Sequence, residues 1–199
     1  MTWRVGADVS RLPTFGFGAT STPWWGTLAF IAIEGTGFAI VAGAYLYLAL
    51  VNAQWRMDAP PPNHWPGTIL TILLLVSLWP NHWTATVARR ENLAKVQIGL
   101  LVMSAVAVIA IAIRAFEFAH LNVRWDQNAY GSMLWVVLGL HATHLITDAM
   151  DTFVLTALMF TRHAQPRRFS DVTDNAFYWD FVVASWLPLY VLIYWVPRL

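Results

Sequence analysis

His141, His144, Asp148 and Asp151 follow one another at i, i+3, i+7 and i+10. At 3.6 residues per turn this spacing keeps two imidazoles and two carboxyls on one narrow stripe of a helix. Such a stripe suits three kinds of chemistry. Its donors could bind a divalent cation or, with an imidazole from another helix, a haem. They could relay protons, or hydrogen-bond one another, backbone carbonyls and lipid headgroups and so fix helix packing. The di-metal bundles use Glu-x-x-His motifs, which this sequence lacks, and His82 stands nearer one end of its apolar run than a bis-imidazole haem site needs. A relay needs groups leading to both surfaces, and the far half supplies only Arg114, Glu117 and His120.

Glu34 is the second chemical feature. It lies near the middle of an apolar run, 24–51, that holds no other charge. A carboxyl so placed is expensive in lipid and must be paired or functional. Counting about 1.5 Å per residue puts Glu34 and His141 at similar depth, so a contact of Glu34 with His141 or His144 is geometrically open. Arg114 and Glu117, three residues apart, share a helix face and can pair.

The elements that must position these groups follow from length and hydropathy. A span needs about 20 mostly apolar residues. Spans are expected at 24–51, 67–88, 96–119, 130–160 and 178–197, separated by the polar or Pro-rich stretches 59–63, 89–92, 126–128 and 162–175. The expectation is an all-α fold, a polytopic bundle of five transmembrane helices forming one membrane domain over 1–199. Residues 1–23 form a cytoplasmic segment in this reading, with no cleavable leader. Pro80 and Pro188 fall inside spans, where kinks are expected.

Composition agrees. Hydrophobic residues make up 58% and charged residues 12% of the chain, whose net charge is +1. Soluble domains carry about 25% charged residues, and no basic patch supports nucleic-acid binding. The absence of cysteine removes thiolate metal sites and Cys nucleophiles. Trp24, Trp25, Trp55, Trp65, Trp83, Trp125, Trp179 and Trp195 fall near the ends of apolar runs, where indoles favour the interface. Arg4, Arg11, Arg89, Arg90, Lys95, Arg162, Arg167 and Arg168 lie on the side of the N-terminus, against Arg56, Arg124 and Arg198 opposite and Arg114 inside a span. This asymmetry places the N-terminus in the cytoplasm and the C-terminus outside.

Several motifs resemble subunit III of the haem–copper oxidases, the cytochrome c oxidase family. Tyr130-Gly131-Ser132 followed by Gly139-Leu140-His141-Ala142-Thr143-His144 is similar to the family's Tyr-Gly-Ser and Gly-x-His-x-x-His. Tyr178-Trp179-Asp180-Phe181-Val182 and Trp186-Leu187-Pro188-Leu189-Tyr190 resemble its last helix, and Arg114-Ala115-Phe116-Glu117-Phe118 its Gln-x-x-Glu-Tyr segment. Glu34 matches the carbodiimide-reactive membrane carboxyl of the family. Asp180 stands where the family has His, Val183 where it has Asp, Arg114 where it has Gln, and Asp148 near a position often held by Gly. Five spans match the short bacterial form.

The resemblance implies a non-catalytic subunit of a terminal oxidase in a bacterial plasma membrane. It would pack on subunit I and against subunit II, bind phospholipid, and support proton uptake and stability. Haem and copper would sit in the partner subunits, with no metal and no catalytic residue in this chain. Glu34, Glu117, His141, His144 and Arg114 would form the polar interior and headgroup region, and Tyr178, Trp179 and Trp186 the packing around the cleft. Quinol-oxidase and nitric-oxide-reductase accessory chains share this pattern, and a stand-alone proton or ion carrier is the reading from another class.

Overall fold

The structure, a computed structural model, describes residues 15–52, 55–56, 59–162 and 164–198. Arg4, Arg11 and most of the N-terminal segment read from sequence lie outside the described residues.

Five long helices account for the described chain: α1 (Thr22–Val51), α2 (His64–Arg89), α3 (Leu93–Ala119), α4 (Ala129–Met159) and α5 (Arg168–Tyr194). Polar caps set four of the starts. Ser21, Asn63, Asn92 and Asn128 each accept a backbone N–H of the first turn through the side chain, satisfying donors that helix geometry leaves free. Both α2 and α5 continue through their prolines, Pro80 and Pro188.

Four of the helices, α1, α3, α4 and α5, are long and apolar enough to cross a membrane. The protein is therefore an all-helical, multi-pass membrane chain. The helix α2 is of similar length but less apolar.

The order in space differs from the order in sequence. Helix α2 packs on α3 and α5, α3 on α4, and α4 on α5, while α1 lies along α4 and α5. Helix α1 is peripheral: only Phe38 and Tyr45 are buried along its length. The core runs between α2, α4 and α5, and its largest fully buried side chains include Trp179, Trp186, Tyr45, Tyr130 and Tyr194.

Two expectations are corrected. The stretch 162–175 was expected to be a linker, yet α5 begins at Arg168, ten residues before the expected span. Phe169, Val172, Thr173 and Ala176 are buried at i, i+3, i+4 and i+7, a helical face whose polar neighbours depress the mean hydropathy. As a consequence Trp179 sits mid-helix and only 1% exposed, not at an interface. Its indole N–H donates to Ser77 Oγ at 2.9 Å.

The Tyr-Gly-Ser motif acquires a local reason. Gly131 donates its N–H to Asn128 Oδ1 (2.7 Å) and Ser132 donates its hydroxyl to the Trp125 carbonyl (2.6 Å). A Cβ on Gly131 would stand 2.3 Å from the Arg124 carbonyl oxygen, so the α3–α4 loop closes only over glycine.

Candidate functional site

The polar side chains read from the sequence fall into two clusters on neighbouring faces of α4. Three residues along a helix is about 300° of rotation, so His141 and His144 diverge by about 60° and meet different helices.

His141, fully buried, faces α3 and α5. Arg114 Nη2 approaches its Nδ1 at 2.9 Å, and its Nε2 lies 3.1 Å from the Val182 carbonyl. A guanidinium can only donate and a carbonyl can only accept. These partners fix His141 as the neutral ring with its hydrogen on Nε2. Arg114 Nη1 donates to Glu117 Oε2 at 2.5 Å, and Tyr194 donates its hydroxyl to Glu117 Oε1. The guanidinium lies over the Trp186 ring, 4.1 Å from its centroid, a cation–π contact away from water. Trp186 in turn donates to Thr71 Oγ1 at 2.8 Å. Arg114, Glu117, His141 and Trp186 are each 3% exposed or less.

His144 faces α1. Its Nδ1 donates to the Leu140 carbonyl at 2.6 Å, which leaves Nε2 toward Glu34, 3.3 Å from Oε1. The approach is a close contact at ion-pair distance, and Nε2 makes no hydrogen bond. Tyr178 donates to the other carboxyl oxygen, Glu34 Oε2, at 2.7 Å. Phe38 lies against the His144 ring, with centroids 4.6 Å apart. Glu34 contacts His144, then, and not His141.

The fourth residue of the stripe separates from the other three. His141, His144 and Asp148 are buried, whereas Asp151 is exposed and accepts from Asn175 at 3.0 Å. Among the described residues no three His, Asp or Glu side chains come together with the spacing of metal ligands. Both ring nitrogens of His141 are spent in hydrogen bonds, so this imidazole has no lone pair free for an axial position on a haem.

Comparison with known proteins bears on this arrangement. The sequence model for cytochrome c oxidase subunit III matches residues 25–197. The chain belongs to the cytochrome c oxidase subunit III family. Its relatives are distant. It is 30% identical to cytochrome c oxidase subunit 3 of Pylaiella littoralis over 63% of this chain, spanning just 46% of that protein's length. It is 22% identical to subunit 3 of Thermostichus vulcanus, over 87% of each chain. To subunit 3 of Corynebacterium diphtheriae it is 23% identical, over 86% of each. The family belongs to an oxidoreductase complex of several subunits, and this places the buried clusters in a subunit III scaffold.

Two departures from the family's residues, Arg114 and Asp180, find polar partners within the chain. Arg114 completes the α3–α4–α5 cluster. Asp180 accepts from Asn81 Nδ2 at 2.9 Å and lies 3.2 Å from His82 Nε2, tying α5 to α2. Val183 is buried in the core. Sequence reasoning missed this α2–α5 seam of Thr71, Ser77, Asn81 and His82. It also missed Tyr194 as the partner of Glu117. The seam had a signal: Ser77, Asn81 and Thr84 recur at i, i+4 and i+7 along one face of an otherwise apolar run.

Proposed function

We propose that this chain is the non-catalytic subunit III of a haem–copper terminal oxidase, a single membrane domain seated beside the haem-bearing subunit I and subunit II. The observation that carries the reading is that the ionisable groups matching the family's motifs are paired inside the subunit. Arg114, Glu117, His141 and Tyr194 form one closed set, and Glu34, His144 and Tyr178 another. Groups committed in this way hold helices together and leave the redox chemistry, with its haem and copper, to partner chains. The Glu34 set lies on the peripheral α1 side, where phospholipid can reach the subunit and where the Glu34 carboxyl can support proton uptake by the complex.

In this reading α2 is the fifth span. Its 26 residues extend about 39 Å, enough for a hydrocarbon core of about 30 Å. The polar residues of its middle turns, Thr68 to Asn81, do not face acyl chains. Thr68 and Thr71 bond Tyr190 and Trp186, while Ser77 and Asn81 bond Trp179 and Asp180. The outward side presents Ile69, Ile72, Leu75, Val76 and Trp79. The end of the bundle that carries the α1 start lies in the cytoplasm of a bacterium, since Arg89, Arg90, Lys95, Arg162, Arg167 and Arg168 gather there against Arg56, Arg124 and Arg198.

The test is affinity purification of the tagged full chain from its native membrane. Recovery of a stoichiometric haem-bearing subunit, with no haem or metal on the chain after it is stripped from the complex, supports the reading. Recovery of the chain alone, with proton flux in vesicles abolished by Glu34→Gln, overturns it in favour of a carrier.

A further inference from the structure

Asp148 has no part in either cluster. It lines a cavity of about 400 Å³ between α1, α4 and α5, which runs from the α1 start to Phe30 and Tyr178. Asp151, Asp171 and Asp174 line the same cavity, so α4 and α5 bring four carboxyls to it. Their partners are unequal. Asp171 accepts from Arg168 at 2.8 Å and Asp151 from Asn175 at 3.0 Å. Asp148 is 2% exposed and Asp174 7% exposed, yet Asp148 Oδ1 and both carboxyl oxygens of Asp174 lack a hydrogen-bond donor. Arg89 acts on Asp174 only at a distance.

A buried carboxylate without a donor is costly, and buried polar atoms are nearly always satisfied. These three oxygens therefore point to a ligand that brings N–H or O–H donors and positive charge. Metal coordination is disfavoured by the donor set, which does not converge on a common centre. The rest of the wall combines Pro23, Gly26, Phe30 and Tyr178 with the uncharged polar Thr27, Thr147 and Asn175. Phe30 and Tyr178, with ring centroids 5.8 Å apart, flank the carboxyls and offer π faces to a cation and surface to methylenes. The cavity begins at Pro23, at the start of α1, and reaches Phe30 about 10 Å along that helix. This is the depth of the interface, where an amphipathic cation rests.

We propose that this cavity binds a primary ammonium group on an apolar stem, held by Asp148 and Asp174 through N–H···O bonds and flanked by Phe30 and Tyr178. The group can come from a free alkylamine or from an aminophospholipid headgroup. The inference stands apart from the oxidase reading, because it concerns carboxyls outside both clusters and is decided by binding alone.

The test uses the full chain in phosphatidylcholine nanodiscs, titrated with butylammonium chloride, and in parallel nanodiscs with phosphatidylethanolamine mixed in, read by calorimetry and by native mass spectrometry. Saturable binding of butylammonium assigns the site to free amines. Retention of phosphatidylethanolamine over phosphatidylcholine without butylammonium binding assigns it to the lipid. In either case Asp148→Asn/Asp174→Asn weakens binding at least tenfold, while Asp126→Asn, in the loop before α4, leaves it unchanged. If the double variant does not fold, the wild-type chain decides through N-methylation of the headgroup: each methyl removes a donor and must lower retention. No binding of either probe, or binding indifferent to methylation or to the Asp148 and Asp174 changes in a folded variant, overturns the proposal.

Discussion

Arg114→Met removes the one positive charge of the α3–α4–α5 cluster with little change in length. Three contacts disappear together: the 2.5 Å bond to Glu117, the 2.9 Å bond to His141 and the stacking over Trp186. Because Glu117 is 2% exposed, its charge is left without compensation, and breaking a buried pair from one side costs about 3–5 kcal/mol. That is about a fifth or more of a typical domain stability of about 5–15 kcal/mol. Arg114→Gln keeps a donor for one partner and is expected to cost less than Arg114→Met. Glu117→Gln also breaks the pair from one side. Combined with Arg114→Met, it removes both charges, and the double variant should recover about 1–3 kcal/mol relative to the sum of the two singles. The assay is reversible unfolding of the full chain in mixed micelles, followed by circular dichroism and by tryptophan fluorescence. An Arg114→Met loss below about 1 kcal/mol would refute the argument. So would strict additivity of the two singles, since the pairing in the structure would then carry no energy.

Other predictions rest on single contacts. Tyr178→Phe deletes the hydroxyl that Glu34 Oε2 accepts and should cost about 1–2 kcal/mol in the same unfolding assay, with Tyr47→Phe, an exposed tyrosine of α1, as the neutral control. Gly67→Ala puts a methyl 2.3 Å from the Tyr194 ring, which the Glu117 bond holds in place, and should destabilise by about 1–3 kcal/mol. Tyr194→Phe alone, which keeps the ring and loses the bond, separates the two contributions. On the proposed function, His141→Leu leaves the haem spectrum of the purified oxidase unchanged while shortening sustained turnover or lowering the yield of assembled complex. Loss of a haem band in this variant would show that the imidazole serves as a ligand after all.

Much of the scaffold was legible in the residue order. The apolar runs of α1, α3 and α4 place their helices to within a few residues, because burial in lipid demands length and hydropathy that the chain states outright. Ser21, Asn63, Asn92 and Asn128 mark helix starts by their side-chain chemistry. The stripe of His141, His144 and Asp148 was readable as a buried face, because helical periodicity follows from backbone geometry alone.

The choice of partners was not legible. Periodicity placed both imidazoles on one face of α4, but a 60° divergence sends one to Arg114 and Val182 and the other to Glu34. That outcome depends on which helices flank α4, and chain order does not state it. The start of α5 was hidden for a related reason: Phe169, Val172 and Ala176 are buried against neighbours, while the polar residues among them lower the local hydropathy. Asp180 met Asn81 and His82 across about a hundred positions of sequence, a contact only packing can make. The sequence by itself determined that costly polar groups would lie within apolar helices and must find partners. Tertiary structure decided which partners, because hydrogen bonds depend on ångström distances between helices, whereas hydropathy depends only on what each residue is.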